Sequence, residues 1–135
     1  MAIEEQGRAG EKLVMDVLQF FKVQVKFQPD ALFKSRSGHW ILIECKNQER
    51  FKAPPFDGHG LPPYQVKSRM KFYEETGIRC LFFVHEPGEN YVWWQWLDVL
   101  EGLDASQRAM TKTGKRVIYA LSAFRKVDVP FDISA

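Results

Sequence analysis

Apolar residues recur along this chain with two periods, and the change from one to the other lays out its elements. Leu13, Val14, Val17, Leu18 and Phe21 return at helical spacing, with Glu11, Lys12, Asp16 and Gln19 filling much of the other side. That pattern predicts a helix over about residues 4–21, its first half weakened by Gly7 and Gly10. Val23 to Phe27 alternates apolar and polar residues and predicts a strand. Pro29 cannot donate to a ladder and marks a strand edge or bulge. Residues 30–35 and 39–46 predict two further strands, the second carrying the apolar run Trp40-Ile41-Leu42-Ile43 suited to a buried position. Between them Arg36-Ser37-Gly38 fits a three-residue hairpin loop, with Gly38 in the left-handed conformation that ends it.

Residues 47–63 hold four of the chain's seven prolines together with Gly58 and Gly60, and show no clear period. A loop of that length is expected to be functional or mobile. Pro62-Pro63 can open a helix, Val66, Met70 and Tyr73 mark its apolar stripe, and Gly77 stops it. Strands are predicted over 78–85 and 91–96, joined by the turn Glu86-Pro87-Gly88-Glu89-Asn90. A short helix over 97–103, one strand-like segment over 115–127 and an irregular tail complete the chain. This order predicts an α/β layered domain with a mixed sheet flanked by helices. At 135 residues the expectation is a single domain over 1–135, with a core over about 4–100 and a C-terminal extension of no assigned role.

Composition narrows the function classes. A hydrophobic fraction of 45% argues against disorder. No apolar run is long enough to span a bilayer and the N-terminus has no secretory pattern, so no membrane partner and a cytoplasmic location are expected. Cys45 and Cys80 form no CxxC pair and sit in apolar, strand-like runs, which predicts buried free thiols. The formal charge of only +2 does not by itself signal nucleic-acid binding. The middle of the chain is locally basic, however, through Lys46, Arg50 and Lys52, then Lys67, Arg69 and Lys71. Arg50, Lys52, Lys67 and Arg69 are the candidate contacts to DNA.

The chemistry concentrates on the hairpin. If Arg36-Ser37-Gly38 is its loop, Ser35 pairs with His39, and counting back sets Asp30 opposite Glu44. Cross-strand partners share a face, and alternation sends Lys46 to that face and the Cys45 side chain to the other. Two carboxylates and an amine at the end of a strand suit a divalent cation with hard oxygen ligands, Mg²⁺ with Mn²⁺ as substitute. Such an ion acidifies water and stabilises charge on a phosphoryl oxygen, and Lys46 adds a positive donor. The backbone carbonyl of Cys45 is a further candidate ligand. The same three residues also fit a plain salt bridge, but charged Glu44 and Lys46 directly continue an apolar strand, where charges are paired or functional.

Pro29-Asp30 followed by Glu44-Cys45-Lys46 resembles the signature of the PD-(D/E)XK nuclease superfamily, the restriction-endonuclease-like fold. The order of elements to about Val84 is similar to that family's α-β-β-β-α-β core. Gly7-Arg8-Ala9-Gly10-Glu11 resembles the first-helix segment of Holliday junction resolvases and related phage-type nucleases, and Gln65 in Pro63-Tyr64-Gln65 their glutamine on the later helix. Tyr91 to Trp96 is similar to a later strand of the same relatives. The resemblance covers roughly the first hundred residues. It implies Asp30 and Glu44 as metal ligands, Lys46 as the catalytic lysine, Glu11 as a helper ligand or water-positioning group, and Gln65 as a further active-site residue.

His39, His59 and His85 match no zinc spacing and are expected in surface or packing roles, with His59 in the loop near Lys46. Alternation puts Trp94 and Trp96 on one face of their strand and Tyr91 and Trp93 on the other, which favours packing over base stacking. The sequence thus leads to a Mg²⁺-dependent DNA endonuclease selective for branched or flapped DNA, with a homodimer gathering enough basic surface for a duplex. Two rivals stand beside it: a non-catalytic nucleic-acid-binding or assembly module on the same fold, and a sequence-specific restriction or repair nuclease.

Overall fold

The computed structural model describes residues 12–17, 30–35 and 37–130, and for Asp30 and Ala31 the main chain alone. Residues 12–17 are helical (α1). The chain continues through β1 (Asp30–Lys34), β2 (Trp40–Asn47), β3 (Gly58–Leu61), α2 (Pro63–Thr76), β4 (Cys80–His85), β5 (Tyr91–Trp96) and α3 (Leu97–Glu101). It ends with β6 (Arg108–Met110), β7 (Val117–Ala120), a 3₁₀ turn (Leu121–Ala123) and β8 (Arg125–Asp128). The strand expected over 23–27 and most of the first helix lie outside the described residues.

Among the described residues, five strands form a mixed sheet in the order β1-β2-β4-β5-β8. Only β2 and β4 run parallel; the other neighbours are antiparallel. Parallel neighbours require a crossover, and the segment through β3 and α2 supplies it. All six residues of β4 are buried, as a strand covered on both faces demands. One face packs Ile41, Ile43, Cys45, Leu81, Phe83, Val92 and Trp94 against Val14 and Val17 of α1. The other packs Phe82 and Val84 against Val66 of α2, Leu97 and Leu100 of α3, and Leu61, Val117 and Tyr119. The result is a three-layered α/β arrangement around two apolar clusters. Among the described residues, no helix is long and apolar enough to cross a membrane.

The hairpin register follows the sequence expectation. The Ser35 amide donates to the His39 carbonyl at 2.8 Å, Gly38 has φ 88°, and Asp30 pairs with Glu44 across the ladder. Trp94 and Trp93 fall into opposite apolar clusters, and both cysteines are buried.

Two segments differ from the pattern reading. Within 47–63, β2 extends to Asn47, and Gly58 to Leu61 form a fully buried strand paired with β7 in a second sheet, β3-β7-β6. The cause of the missing period is steric. A Cβ on Gly58 would come 2.0 Å from the Tyr119 carbonyl oxygen, and one on Gly60 1.9 Å from that of Val117. The close approach of β7 demands glycine at both positions, so no apolar alternation is possible there. Residues 115–127 are likewise two strands, not one: β7 joins the second sheet, the 3₁₀ turn redirects the chain, and β8 closes the edge of the first. The segment after residue 102 is thus woven into both sheets.

Gly60→Ala is expected to cost about 3 kcal/mol of stability, since backbone and not a side chain must yield. Gly114→Ala, at φ 71° with open space around it, is expected to cost roughly 1 kcal/mol. Urea titration of both variants checks the order; equal losses would contradict the close approach.

Candidate active site

Glu44 lies near the C-terminal end of β2 on the face that α2 covers, since Leu42 packs with the α2 cluster while Ile43 and Cys45 join the opposite one. Its side chain has 0% exposure. A carboxylate withdrawn from water must be neutralised, and among the described residues Lys46 and Arg69 contribute to this. Lys46 Nζ, two residues on and on the same face, is 3.3 Å from Oε1. Arg69 reaches across from α2, donating from Nη2 at 3.2 Å and Nε at 3.4 Å to Oε2. Asp30 is set directly opposite Glu44 by the β1–β2 register. The structure therefore unites Glu44 with Lys46 and aligns the backbone of Asp30 with them. Cys45 turns its side chain into the opposite core, so only its main-chain carbonyl is on offer to a ligand.

Gln65 stands one helical turn before Arg69 and shares its face of α2. Its Nε2 donates to the Tyr64 hydroxyl at 3.4 Å, whereas its buried Oε1 has no hydrogen-bond partner among the described residues. A buried acceptor oxygen without a donor, on the helix face that meets a buried carboxylate, suits a hard cation or the water around one. Among the described residues no three His, Cys, Asp or Glu side chains converge on one point. Glu11 lies outside the described residues. The oxygen donors that the structure does describe, the Glu44 carboxylate and Gln65 Oε1, fit Mg²⁺ or Mn²⁺ by chemical type.

The basic candidates separate. Arg69 belongs to the site. Lys67 lies on another side of α2, lining a groove with Met70 and Arg108. Arg50 and Lys52 line a cleft with Glu86 and Tyr91.

That cleft borders a polar cluster with no counterpart in the sequence reading. Glu86, at the end of β4, receives Arg50 on both oxygens, Nε to Oε2 at 3.0 Å and Nη2 to Oε1 at 3.1 Å. Tyr91 Oη (2.8 Å) and Trp93 Nε1 (3.2 Å) donate to Oε1, and His59 Nε2 lies 2.8 Å from Oε2. Gln48 Nε2 is 3.2 Å from His59 Nδ1, which defines the Nε2–H tautomer of a neutral ring. His59 is thus a fully buried residue of β3 in a packing role, and not part of a loop. Glu86 sits beside Pro87-Gly88 in what reads as a solvated turn, so its burial left no mark in the sequence. Arg69 had a usable signal, the i, i+4 spacing from Gln65.

Burial alone would raise the Glu86 pKa, but the bonds from Arg50, Tyr91, Trp93 and His59 outweigh it and bring it from 4.5 down to about 2. Burial lowers His59 below its ordinary 6.5 against the opposing pull of Glu86.

Compared with models of known protein families the sequence matches none, and a comparison with curated proteins likewise found no significant match.

Both depressed values act in one direction on stability. The unfolded chain takes up protons at His59 from about pH 6.5 and at Glu86 from about pH 4.5, before the folded protein does, so acidification favours unfolding. The Glu86 contribution is present above pH 4.5 and lost as the pH falls towards 2. Denaturant midpoints between pH 7.5 and 3 are expected to fall, with Glu86→Gln about 3 kcal/mol less stable at pH 7 and flatter below pH 4.5. Parallel wild-type and variant curves below pH 4.5 would contradict this.

Proposed function

We propose that this chain is a metal-dependent deoxyribonuclease of the restriction-endonuclease-like type, hydrolysing phosphodiester bonds in branched or flapped DNA. The observation that carries the reading is the fully buried Glu44 carboxylate at the end of β2, with Lys46 at 3.3 Å on its face and Asp30 opposite it in register. The described order of α1, β1, β2, α2 and β4, with β2 and β4 parallel, is consistent with the nuclease core that the Asp30, Glu44-Cys45-Lys46 signature resembles.

In this reading Glu44, Asp30, the Cys45 carbonyl and Glu11 would hold the cation, with Gln65 Oε1 as a further acceptor. When bound, a divalent cation supplies Lewis acidity, making water nucleophilic near neutral pH and offsetting charge on the phosphate. Lys46 presents its ammonium on the same face, where it orients the attacking water and stabilises charge developing on the phosphoryl oxygens. Burial beside Glu44 strengthens that charge–charge interaction relative to water. The net charge of +2 is small for a protein that grips a duplex, and two copies related by a two-fold axis would double the cationic surface.

A second reading, a non-catalytic nucleic-acid-binding module, draws on the neutralisation of Glu44 by Lys46 and Arg69 within the protein itself. Salt-sensitive DNA binding with no metal uptake would favour it. Sequence-specific cleavage is the remaining variant.

Incubation with flapped, four-way, nicked and plain duplex DNA in Mg²⁺ or Mn²⁺ is expected to give cleavage of the branched forms. Lys46→Ala and Asp30→Asn are expected to lower the rate by about 10²-fold or more while leaving the thermal midpoint near that of the parent. Light scattering is expected to give the mass of two chains. No cleavage of any substrate, or cleavage untouched by Lys46→Ala, would refute the enzyme reading.

A further inference from the structure

The second sheet ends on an open strand. Among the described residues β6 has β7 on one side and no strand on the other. The Thr111 amide donates to the Arg116 carbonyl at 2.9 Å and the Ala120 amide to the Gln107 carbonyl at 2.8 Å, which sets the phase of the ladder between them. Bonded and non-bonded pairs alternate along an antiparallel ladder. Ala109 is therefore the position that bonds to β7, opposite Ile118, while the N–H and C=O groups of Arg108 and Met110 point outward. Proline and free charge, which commonly guard such an edge, are lacking in β6. Met110 is 54% exposed, and the Arg108 guanidinium is already taken up by Glu101 at 2.7 and 3.0 Å.

Arg108, Met110 and Val117 line one wall of a groove of about 610 Å³, and α2 runs along the other. Its residues there, from Val66 through Met70 to Glu74, recur at helical spacing and form one stripe. Gln65 and Arg69 lie on the opposite side of the helix. Charge along the stripe is ordered, with Lys67 and Lys71 first and Glu74 and Glu75 last. The Lys71–Glu75 pair within the helix is exposed and loose at 3.9 Å, and holds neither charge back from a new partner.

We propose that a second copy of this chain pairs with β6 about a two-fold axis at Ala109. Arg108 of each copy then exchanges both main-chain bonds with Met110 of the other, and the two three-stranded sheets become one continuous sheet. The axis also sets the two α2 helices antiparallel, so that Lys67 and Lys71 of each copy face Glu74 and Glu75 of the other. The stripe is complementary to itself reversed. That is the condition for a two-fold interface, and it favours a second copy over a peptide of either charge. This pairing gives the two-copy state proposed above its surface, does not depend on the cation chemistry, and leaves the Glu44-facing side of α2 uncovered.

Light scattering and sedimentation of the full chain test the pairing. Met110→Pro removes an outward N–H that β7 does not use, so the fold is expected to persist while the dissociation constant rises about thirtyfold or more. Reversing the basic pair (Lys67→Glu with Lys71→Glu) or the acidic pair (Glu74→Lys with Glu75→Lys) is expected to weaken self-association roughly tenfold. An equal mixture of these two variants is expected to associate as tightly as the parent, a rescue that a merely structural role would not give. Where Met110→Pro does not fold, amide hydrogen exchange of the parent answers instead. The Arg108 and Met110 amides are expected to exchange more slowly as concentration rises, with Ala109 protected throughout. A parent of two-chain mass with undiminished association in Met110→Pro, no gain on mixing, or concentration-independent exchange at 108 and 110 overturns this surface and leaves the two-copy state standing. A mass of one chain up to about 100 μM overturns both, and leaves the open edge to an extended peptide of another protein.

Discussion

A carboxylate with no exposed surface constrains this protein more than any other group in it. Glu44 sits where an apolar strand turns charged, under a helix, and its burial is tolerable only because cations from two elements reach it. That requirement ties the geometry together. The β1–β2 hairpin brings Asp30 into register with it, alternation along β2 delivers Lys46, and the crossover through α2 brings Arg69 over the same face. The parallel pairing of β2 with β4 holds the strand centrally, with Glu44 beside Phe82 in the ladder.

A second buried carboxylate steadies the end of that strand. Glu86 gathers Arg50 from the segment after β2, His59 from β3, and Tyr91 and Trp93 from β5. Four separated parts of the chain are therefore fixed to one another a few residues beyond Lys46. The two clusters differ in kind. Glu86 has five donors on its two oxygens and a pKa held near 2, which marks a satisfied structural network. On the α2 face that meets Glu44, the buried Gln65 Oε1 has no hydrogen-bond partner among the described residues, which is the arrangement expected where a ligand completes the site.

The hairpin was open to sequence reasoning because its information is local. Gly38 ends a three-residue loop, the loop sets the register, and the register pairs position 30 with position 44. The α/β layering, the two cysteines and the faces of Tyr91 to Trp96 followed from periodicity for the same reason. What escaped depends on contacts between distant segments. Gly58-His59-Gly60-Leu61 looks like a turn-rich loop because β7, some sixty residues later, leaves no room for side chains at 58 and 60. Glu86 reads as a turn residue because its partners come from three other places in the chain. Arg69 was grouped with a run of basic residues, whereas helical spacing divides that run, sending Arg69 to Glu44 and Lys67 to a groove.

The reading of the Glu44 face as a cation site rests on the burial of that carboxylate and on its register with Asp30. Anomalous diffraction from crystals grown in Mn²⁺ tests it most directly. The expected result is a Mn²⁺ peak against the Glu44 carboxylate, between it and Asp30. Saturating Mn²⁺ with no peak there would contradict it.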